Sequence, residues 1–195
     1  MKTSVYRCLF ALFVGSFLLA AAPSGWAQTR PGTKIDVFKT VKPGQWVQIE
    51  GVPQKDFTVL ATEIKFLTGD FEDDDWEVLA TVRGVNKAAK EFEILLMKVK
   101  VNDGTEYQTK DQTRTFKSFD DLKPGMFVEL EGTYLKDGVF LAEEVQDETA
   151  RKEEEAGTVT FVGKAEKVDP IKRTVTLMKT TFIVSDKTQA KSAIK

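Results

Sequence analysis

The sequence contains no histidine, and its only cysteine is Cys8. Ser–His–Asp triads, Cys–His pairs, Cys/His zinc sites and haem ligation through His are therefore excluded. A lone cysteine also excludes an intramolecular disulfide, so a packed core has to stabilise the fold. We therefore predict a protein that is not an enzyme, with no catalytic residue, no metal and no cofactor. An enzyme that uses carboxylates alone is the rival interpretation.

The chain also lacks a strong charge of either sign. Its 28 basic and 30 acidic residues leave a net charge of −2. Nucleic-acid binding depends on dense positive charge along a groove, so we expect no nucleic-acid partner. Beyond the first 27 residues, no apolar run approaches the ~20 residues that span a membrane.

The first 27 residues have the organisation of a secretory signal peptide. Lys2 and Arg7 precede the apolar stretch "CLFALFVGSFLLAAA", and "PSGWA" then supplies small residues around Trp26. We predict cleavage before Gln28 and a periplasmic or secreted mature protein without an integral membrane segment. An uncleaved membrane anchor is the alternative.

One phrase occurs twice. "VKPGQWVQIEG" begins at Val41 and "LKPGMFVELEG" begins at Leu122, 81 residues later, and apolar and glycine positions match on both sides of it. Such a register indicates an internal repeat. Pro followed by Gly suits a type II turn, alternating residues then predict a strand, and the closing Gly predicts a bulge.

The remaining segments are rich in Val, Thr, Ile and Phe and are separated by short turns, which is typical of strands. Helical periodicity is nearly absent. The stretch "EEVQDETARKEEEAG" permits a short helix, but its charge favours a solvated linker. The sequence therefore predicts an all-β fold.

The order of these segments resembles a bacterial family known as domain of unknown function 5666. "ATVRGVN", "FEILLMKVKVNDGT", "FDDLKPGMFVELEG" and "GVFLAEEV" follow the order of one complete family module. A weaker similarity, in the closing "V-x-I-x-G" phrase, is to the short periplasmic bacterial OB-fold proteins. The resemblance implies OB-like barrels of five strands and supplies no catalytic residues.

The chain departs from the family pattern because it contains half a module, a whole module and another half. The predicted segments are a signal peptide (1–27), a closing half (33–66), an acidic connector (67–77), a central OB-like barrel (78–146), a charged linker (147–156) and an opening half (157–190). We expect two small barrels, one contiguous and one circularly permuted, with the terminal halves paired within one chain. Pairing between chains, as a swapped dimer or filament, is the alternative.

The connector is the most unusual stretch, because "GDFEDDDWE" surrounds Phe71 and Trp76 with acids. Asp73, Asp74 and Asp75 are candidate partner-binding residues. A plain connector and a docking surface for a basic partner are both consistent with this composition. A calcium site fits poorly, because the acids run together and Gly69 precedes them.

Trp46 and Phe127 hold equivalent positions in the repeated phrase, and we expect both to lean outward. Exposed aromatic residues on OB-like barrels can stack on ligands, whereas packing within the barrel is the alternative. Together with Phe71 and Trp76 they complete the candidate binding residues. We predict an exported binding or scaffold protein, with a protein partner in the cell envelope. A self-assembling envelope protein, formed by cross-chain pairing of the half barrels, is the alternative.

Overall fold

The fold is described from a computed structural model, which covers residues 35–111, 113–150 and 157–194. The predicted signal peptide and residues 151–156 of the predicted linker lie outside these residues. The described residues belong to one compact unit. Among them, no helix has the length and apolar character required to cross a membrane.

The protein is all-β, as the sequence predicts. In the described residues, short helical turns accompany the strands, among them the α-helical turn α1 and a 3-10 turn at Phe119–Asp121. In chain order the elements are α1 (Val37–Thr40), β1 (Trp46–Pro53), β2 (Val59–Thr68), β3 (Trp76–Asn86), β4 (Glu91–Ile94), β5 (Met97–Lys100), β6 (Glu106–Thr109), β7 (Phe127–Tyr134), β8 (Val139–Asp147), β9 (Val159–Lys164), β10 (Lys167–Asp169), β11 (Thr174–Leu177) and β12 (Thr180–Ile194).

The central strands close into a barrel of five. β3 pairs with β4, β4 with β5, β5 with β8, β8 with β7, and β7 returns to β3. All these pairs are antiparallel except β5 with β8. Alternating residues of β4 and β5 point into the core, where Phe92, Ile94 and Val99 are buried.

Both copies of the repeated phrase form the predicted turn. Gly44 and Gly125 have φ of 85° and 88°, and each turn is closed by an N–H that donates to the carbonyl of Lys42 or Lys123. The predicted bulges are also present, because the strand register shifts at Glu50/Gly51 in β1 and at Glu131/Gly132 in β7. Pro and Gly encode these features locally, which is why the sequence alone predicts them.

The terminal strands pair with each other within the chain. β1 pairs antiparallel with β9, and β2 pairs parallel with β12. On its other edge β12 pairs with β11, and β11 pairs with β10. The permuted arrangement requires this pairing of the first and last strands. A separate second barrel stays a prediction, because β9 also pairs with β3 and so joins all twelve strands in one sheet.

A buried threonine fixes a corner in each copy. The Thr105 hydroxyl accepts the N–H of Asn102 and donates to the carbonyl of Ala142, and Thr188 does the same for Ser185 and Ala61. In the central barrel, β5 before the corner and β6 after it both pair in parallel with β8. In the terminal copy, the parts of β12 before and after the corner both pair in parallel with β2. The Asp-x-Thr sequence that precedes each corner, Asp103–Thr105 in one copy and Asp186–Thr188 in the other, therefore has a structural role.

Candidate partner-binding surface at the acidic connector

Three of the predicted binding residues lie together at the start of β1 and β3. The ring of Trp46 stacks on Phe71 at 4.8 Å between centroids, with 22° between the planes. Trp46 also contacts Trp76 at 5.1 Å, and Trp76 contacts Tyr134 at 5.4 Å. We call these four residues the aromatic cluster. It lies where β1, β3 and β7 approach one another, so it joins the terminal strands to the central barrel.

The aromatic cluster holds the connector in place. Gly69, with φ of 142°, turns the chain out of β2, and the half-buried Phe71 then packs on Trp46. The N–H of Glu72 donates to the carboxylate of Asp75 at 2.6 Å, which closes a tight turn before β3. The connector is therefore an ordered turn with one aromatic anchor.

The anchored turn displays its carboxylates to solvent. Asp70, Glu72, Asp73 and Asp74 are exposed, whereas Asp75 is half-buried. Lys164 of β9 approaches Asp73, with Nζ 3.1 Å from Oδ1, and also lies 5.3 Å from the centroid of the Trp46 ring. An exposed ion pair of this kind contributes little stability. Lys164 neutralises only part of the charge of the four exposed carboxylates, so this surface is acidic.

Trp46 and Phe127 are both buried, so the expectation that these rings lean outward into solvent is wrong. Trp46 is 9% exposed and Phe127 is 1% exposed. Trp46 does point away from the interior side of β1, but Phe71 and Trp76 cover it. Phe127 lies opposite Thr81, at the other end of β7 from Gly132, which pairs with Trp76. The structure therefore does not bring Phe127 to the connector, and neither ring is presented to a ligand.

The sequence did not indicate two further residues of this surface, Tyr134 and Lys164. The hydroxyl of Tyr134 is buried without a hydrogen-bond partner among the described residues. Its burial raises the pKa of the phenol, and the charges of Glu166 and Asp137 add to the effect. Lys164 is distant in sequence from the connector, and only the pairing of β1 with β9 places it there. No local pattern signals either residue.

A second acidic surface covers β6, β7 and β8. Glu129 and Glu131 of β7 are both partly buried, and the Glu129 side chain is 14% exposed. Burial raises the pKa of the neighbouring Glu144, and the charges of Glu131, Glu106 and Glu129 raise it further. No group of three or more potential metal ligands with suitable geometry occurs in the described part of the chain.

The beginning of the predicted linker is not solvated. Asp147 ends β8 and Glu148 follows it, and both are buried. The Lys110 ammonium lies 2.6 Å from the Glu148 carboxylate, and the Arg114 guanidinium lies 3.3 Å from that of Asp147. The long loop between β6 and β7 supplies these cations, which the linker composition alone does not reveal.

Because Glu144 lies among other carboxylates, we expect the free energy of unfolding to depend on pH. Because the folded state raises the pKa of Glu144 above its ordinary 4.5, this residue favours folding at low pH, and that contribution is lost as the pH rises through the raised value. We expect Glu144→Gln to raise the free energy of unfolding at pH 7 by about 0.5 kcal/mol, a small value because solvent screens a half-exposed group. Urea denaturation at pH 4 and pH 7 measures the difference.

The gain from Glu144→Gln should disappear at pH 4, where the wild-type side chain is largely protonated. Glu143→Gln is the matched control, because Glu143 is exposed on the same strand, and it should change little at either pH. An equal gain from Glu144→Gln at both pH values would contradict the electrostatic explanation.

Comparison with known proteins identifies the family and little else. No curated protein matches the chain, and no solved structure matches it. A sequence model described as "Domain of unknown function (DUF5666)" matches residues 27–65 and 80–146. These two stretches contain both copies of the repeated phrase, all of β4, β5, β6 and β7, and most of β3 and β8, and they make up more than half of the chain. The protein therefore belongs to the family of domain of unknown function 5666.

Proposed function

We propose that this protein is an exported, non-enzymatic binding or scaffold protein of the bacterial periplasm, and that a basic protein partner docks on its acidic connector. One observation carries the proposal. The Phe71 ring stacks on Trp46, and this contact holds exposed carboxylates in a fixed position on the barrel surface. A preformed loop loses less conformational entropy on binding than a mobile one.

The charge of the connector suits a basic partner. Exposed carboxylates attract positively charged surfaces over a distance of about 8 Å at physiological salt, which accelerates encounter and selects against acidic proteins. Lys164 beside Asp73 offers a cation that a partner carboxylate can approach or that a partner lysine can displace. The partner interaction should therefore weaken as the salt concentration rises.

The sequence supports export and a role without catalysis. The positive, apolar and small-residue segments at its start are typical of a signal peptide. The absence of histidine, together with a single cysteine inside that segment, removes the commonest nucleophile and general-base arrangements. We expect the protein recovered from the periplasmic fraction to begin at Gln28, which N-terminal sequencing measures. Recovery of intact Met1 in the membrane fraction would contradict this.

Site-specific photo-crosslinking in cells tests the docking surface. A photoreactive residue at Asp74 should capture a discrete foreign protein, whereas one at the exposed Asp137, in the β7–β8 turn, should not. For the triple variant Asp70→Asn, Asp73→Asn and Asp74→Asn, the photoreactive residue is placed at another position of the connector. This variant should capture the partner at least about fivefold less than the same photoreactive protein with the three aspartates intact, because it lacks three of the attracting charges.

Two controls separate charge from structure in this experiment. The triple variant Asp56→Asn, Asp120→Asn and Asp137→Asn changes the net charge equally but leaves the connector intact. Phe71→Ala keeps all the carboxylates but removes the anchor, and it should reduce capture through loss of preorganisation. Docking at the connector would be refuted if the triple variant of the connector captured the partner as well as the wild type did. It would also be refuted if photoreactive residues at Asp74 and Asp137 captured the same protein equally well.

A further inference from the structure

The outer face of the terminal strands concentrates exposed apolar surface. Val52 and Leu60 are each 39% exposed, and they pair with each other across β1 and β2. The same row of residues continues to Ile183 of β12 and Thr174 of β11. Ile171, which is 93% exposed, lies in the turn just before β11. Three of the five large hydrophobic residues that are exposed in the described part of the chain therefore lie on or beside these strands.

The next row of β11 and β12 consists of threonines. Thr176 pairs there with Thr181. Strand residues alternate between the two sides of a sheet, and the intervening residues Val175 and Phe182 are buried in the core. The two rows therefore share the outer side of the sheet, where their residues are exposed or half-buried. We call this surface the uncharged face, and it comprises Val52, Leu60, Thr174, Thr176, Thr181 and Ile183.

The internal repeat supplies a comparison for the uncharged face. Positions in the two copies can be matched by counting back from the corner threonines, Thr105 and Thr188. Four positions of the uncharged face then have charged counterparts in the central barrel. The counterparts of Thr174, Thr176, Thr181 and Ile183 are, in that order, Glu91, Glu93, Lys98 and Lys100.

The fold itself accommodates charge at these positions. In the central barrel Glu91 pairs with Lys100 and Glu93 pairs with Lys98, in the same register as in the terminal copy. The ammonium groups of Lys98 and Lys100 lie 3.1 Å and 3.5 Å from the Glu91 carboxylate. Strand pairing therefore does not explain why the terminal copy lacks these charges.

The composition of the uncharged face is that of a contact surface. The solvated face of an antiparallel sheet is ordinarily polar, and clustered apolar residues on a surface mark a site of interaction. The buried centre of a protein interface is depleted of charged residues. The terminal copy shows both properties, whereas the central copy, which has the same strand arrangement, shows neither.

A second copy of the same chain fits this surface. In a two-fold contact the same patch meets itself, so a charge near the axis approaches its own symmetry mate of the same sign. A face without charge avoids that repulsion. The chain has a net charge of −2, so two copies repel each other least where their surfaces carry no charge. A basic or acidic partner, in contrast, finds no complementary charge here.

The rim of the uncharged face carries charges of both signs. Lys167 and Asp169 of β10 border it beside β11. Lys55 and Asp56 are exposed in the turn that joins β1 to β2. A mixed rim suits a two-fold contact, because a cation of one copy can approach a carboxylate of the other.

The size of the uncharged face predicts a weak dimer. Four neighbouring strands, in the order β11, β12, β2 and β1, make it roughly 15–20 Å wide at about 4.8 Å per strand. Its area, roughly 200 Å² before the rim is counted, is well below the about 800 Å² that each partner buries in a stable complex. We therefore expect a dissociation constant of about 0.1–1 mM.

We propose that two copies of the protein associate through the uncharged face as a weak dimer with two-fold symmetry. The outer faces of the two sheets then pack about 10 Å apart, with Leu60 and Ile183 at the centre of the contact. No strand is exchanged between the chains. The contact lies outside the acidic connector and does not depend on the docking of a partner there.

Sedimentation equilibrium of residues 28–195 measures the association. The mean mass should rise from that of a monomer at about 10 µM towards that of a dimer at about 1 mM. High salt should not weaken the dimer, because the centre of the contact contains no ion pair. A monomer at every concentration would overturn the proposal, and so would a dimer that high salt dissociates.

A double variant restores charges of the central barrel to the uncharged face. Thr174→Glu with Ile183→Lys reproduces the pair of Glu91 and Lys100, which the same register already accommodates, so the fold should be retained. Circular dichroism checks this. The variant should weaken the dimer at least about tenfold, because association would desolvate the new charges. A dimer as strong as that of the wild type would rule out this face as the contact.

A matched pair of single variants tests the centre of the contact. Leu60→Lys should weaken the dimer at least about tenfold, whereas Leu141→Lys, its counterpart in the central barrel, should not. Equal effects of the two variants would contradict the proposal, because a general increase in positive charge would then explain both.

Two further measurements distinguish other occupants of the face. The triple variant of the connector should leave self-association unchanged, so loss of the dimer in that variant would place the contact at the connector instead. Flotation with vesicles of phosphatidylethanolamine and phosphatidylglycerol should recover no protein. Recovery of a monomer that Leu60→Lys abolishes would make a membrane the occupant and overturn the proposal, while docking at the connector would remain unaffected.

Discussion

Replacing Gly132 with alanine is expected to destabilise the protein by about 3 kcal/mol or more, a large part of the 5–15 kcal/mol by which a typical domain is stable. A Cβ at this position would lie 2.2 Å from the carbonyl oxygen of Leu141 and 2.9 Å from the backbone nitrogen of Glu143. Gly132 also has φ of 156°. Because the obstructing atoms are backbone atoms of β8, relief requires movement of the strand itself, which disrupts the bulge.

Urea denaturation of Gly132→Ala measures this loss of stability. Two other glycine variants are compared with it, one expected to behave similarly and one as a control. Gly51→Ala should behave similarly, since its Cβ would lie 2.5 Å from the carbonyl oxygen of Leu60. Gly84→Ala is the control, because the nearest atom is a Glu93 side-chain oxygen at 3.7 Å. A loss below about 1 kcal/mol at Gly132 would mean that the bulge adapts easily and does not fix the register.

Trp76→Ala is expected to lower the free energy of unfolding by about 3–5 kcal/mol, the range for removing a large buried aromatic side chain. The indole is 7% exposed and packs on Trp46 and Tyr134. It also lies directly over Gly163 of β9, where an added Cβ would fall 2.2 Å from the ring. The side chain therefore fills the junction at which β3 pairs with β9, and its loss weakens the connection between the central barrel and the terminal strands.

Denaturation of Trp76→Ala, followed separately by fluorescence and circular dichroism, tests this role. We expect the two transitions to separate, because strands that lose their junction no longer unfold together. Leu96→Ala, at a position 65% exposed in the β4–β5 turn, should change the unfolding free energy by less than about 0.5 kcal/mol. A single coincident transition with a small loss would contradict a coupling role for Trp76.

Much of the fold was predictable because its determinants are local. The Pro-Gly turns, the bulges after Glu50 and Glu131, and the alternation of strand residues are all encoded within a few positions. The pairing of the terminal halves was predictable from the repeat, since each half lacks the strands that the other contains. The parallel pairing of β2 with β12 was not predicted, because it depends on the corner at Thr188 rather than on a pattern within either strand.

The candidate site was predictable only in composition. The connector sequence identified Phe71 and Trp76, but the burial of Trp46 depends on contacts with both rings, which no strand pattern reveals. Phe127 was assigned by equivalence to Trp46, and that equivalence fails because β7 pairs with β3 and the connector lies at the far end of that strand pair. Lys164 and Tyr134 join the surface through long-range pairing alone.

The pairing of β2 with β12 has a consequence for how the protein is made. β2 leaves the ribosome about 110 residues before β12, its partner, so it stays without that neighbour while the whole central barrel is synthesised. The central barrel can fold as soon as β8 is complete, because all its partners are then present. We therefore expect a nascent chain that ends before β12 to contain a folded centre and an N-terminal hairpin whose β1 edge can pair with β9 but whose β2 edge stays unpaired until β12 is made.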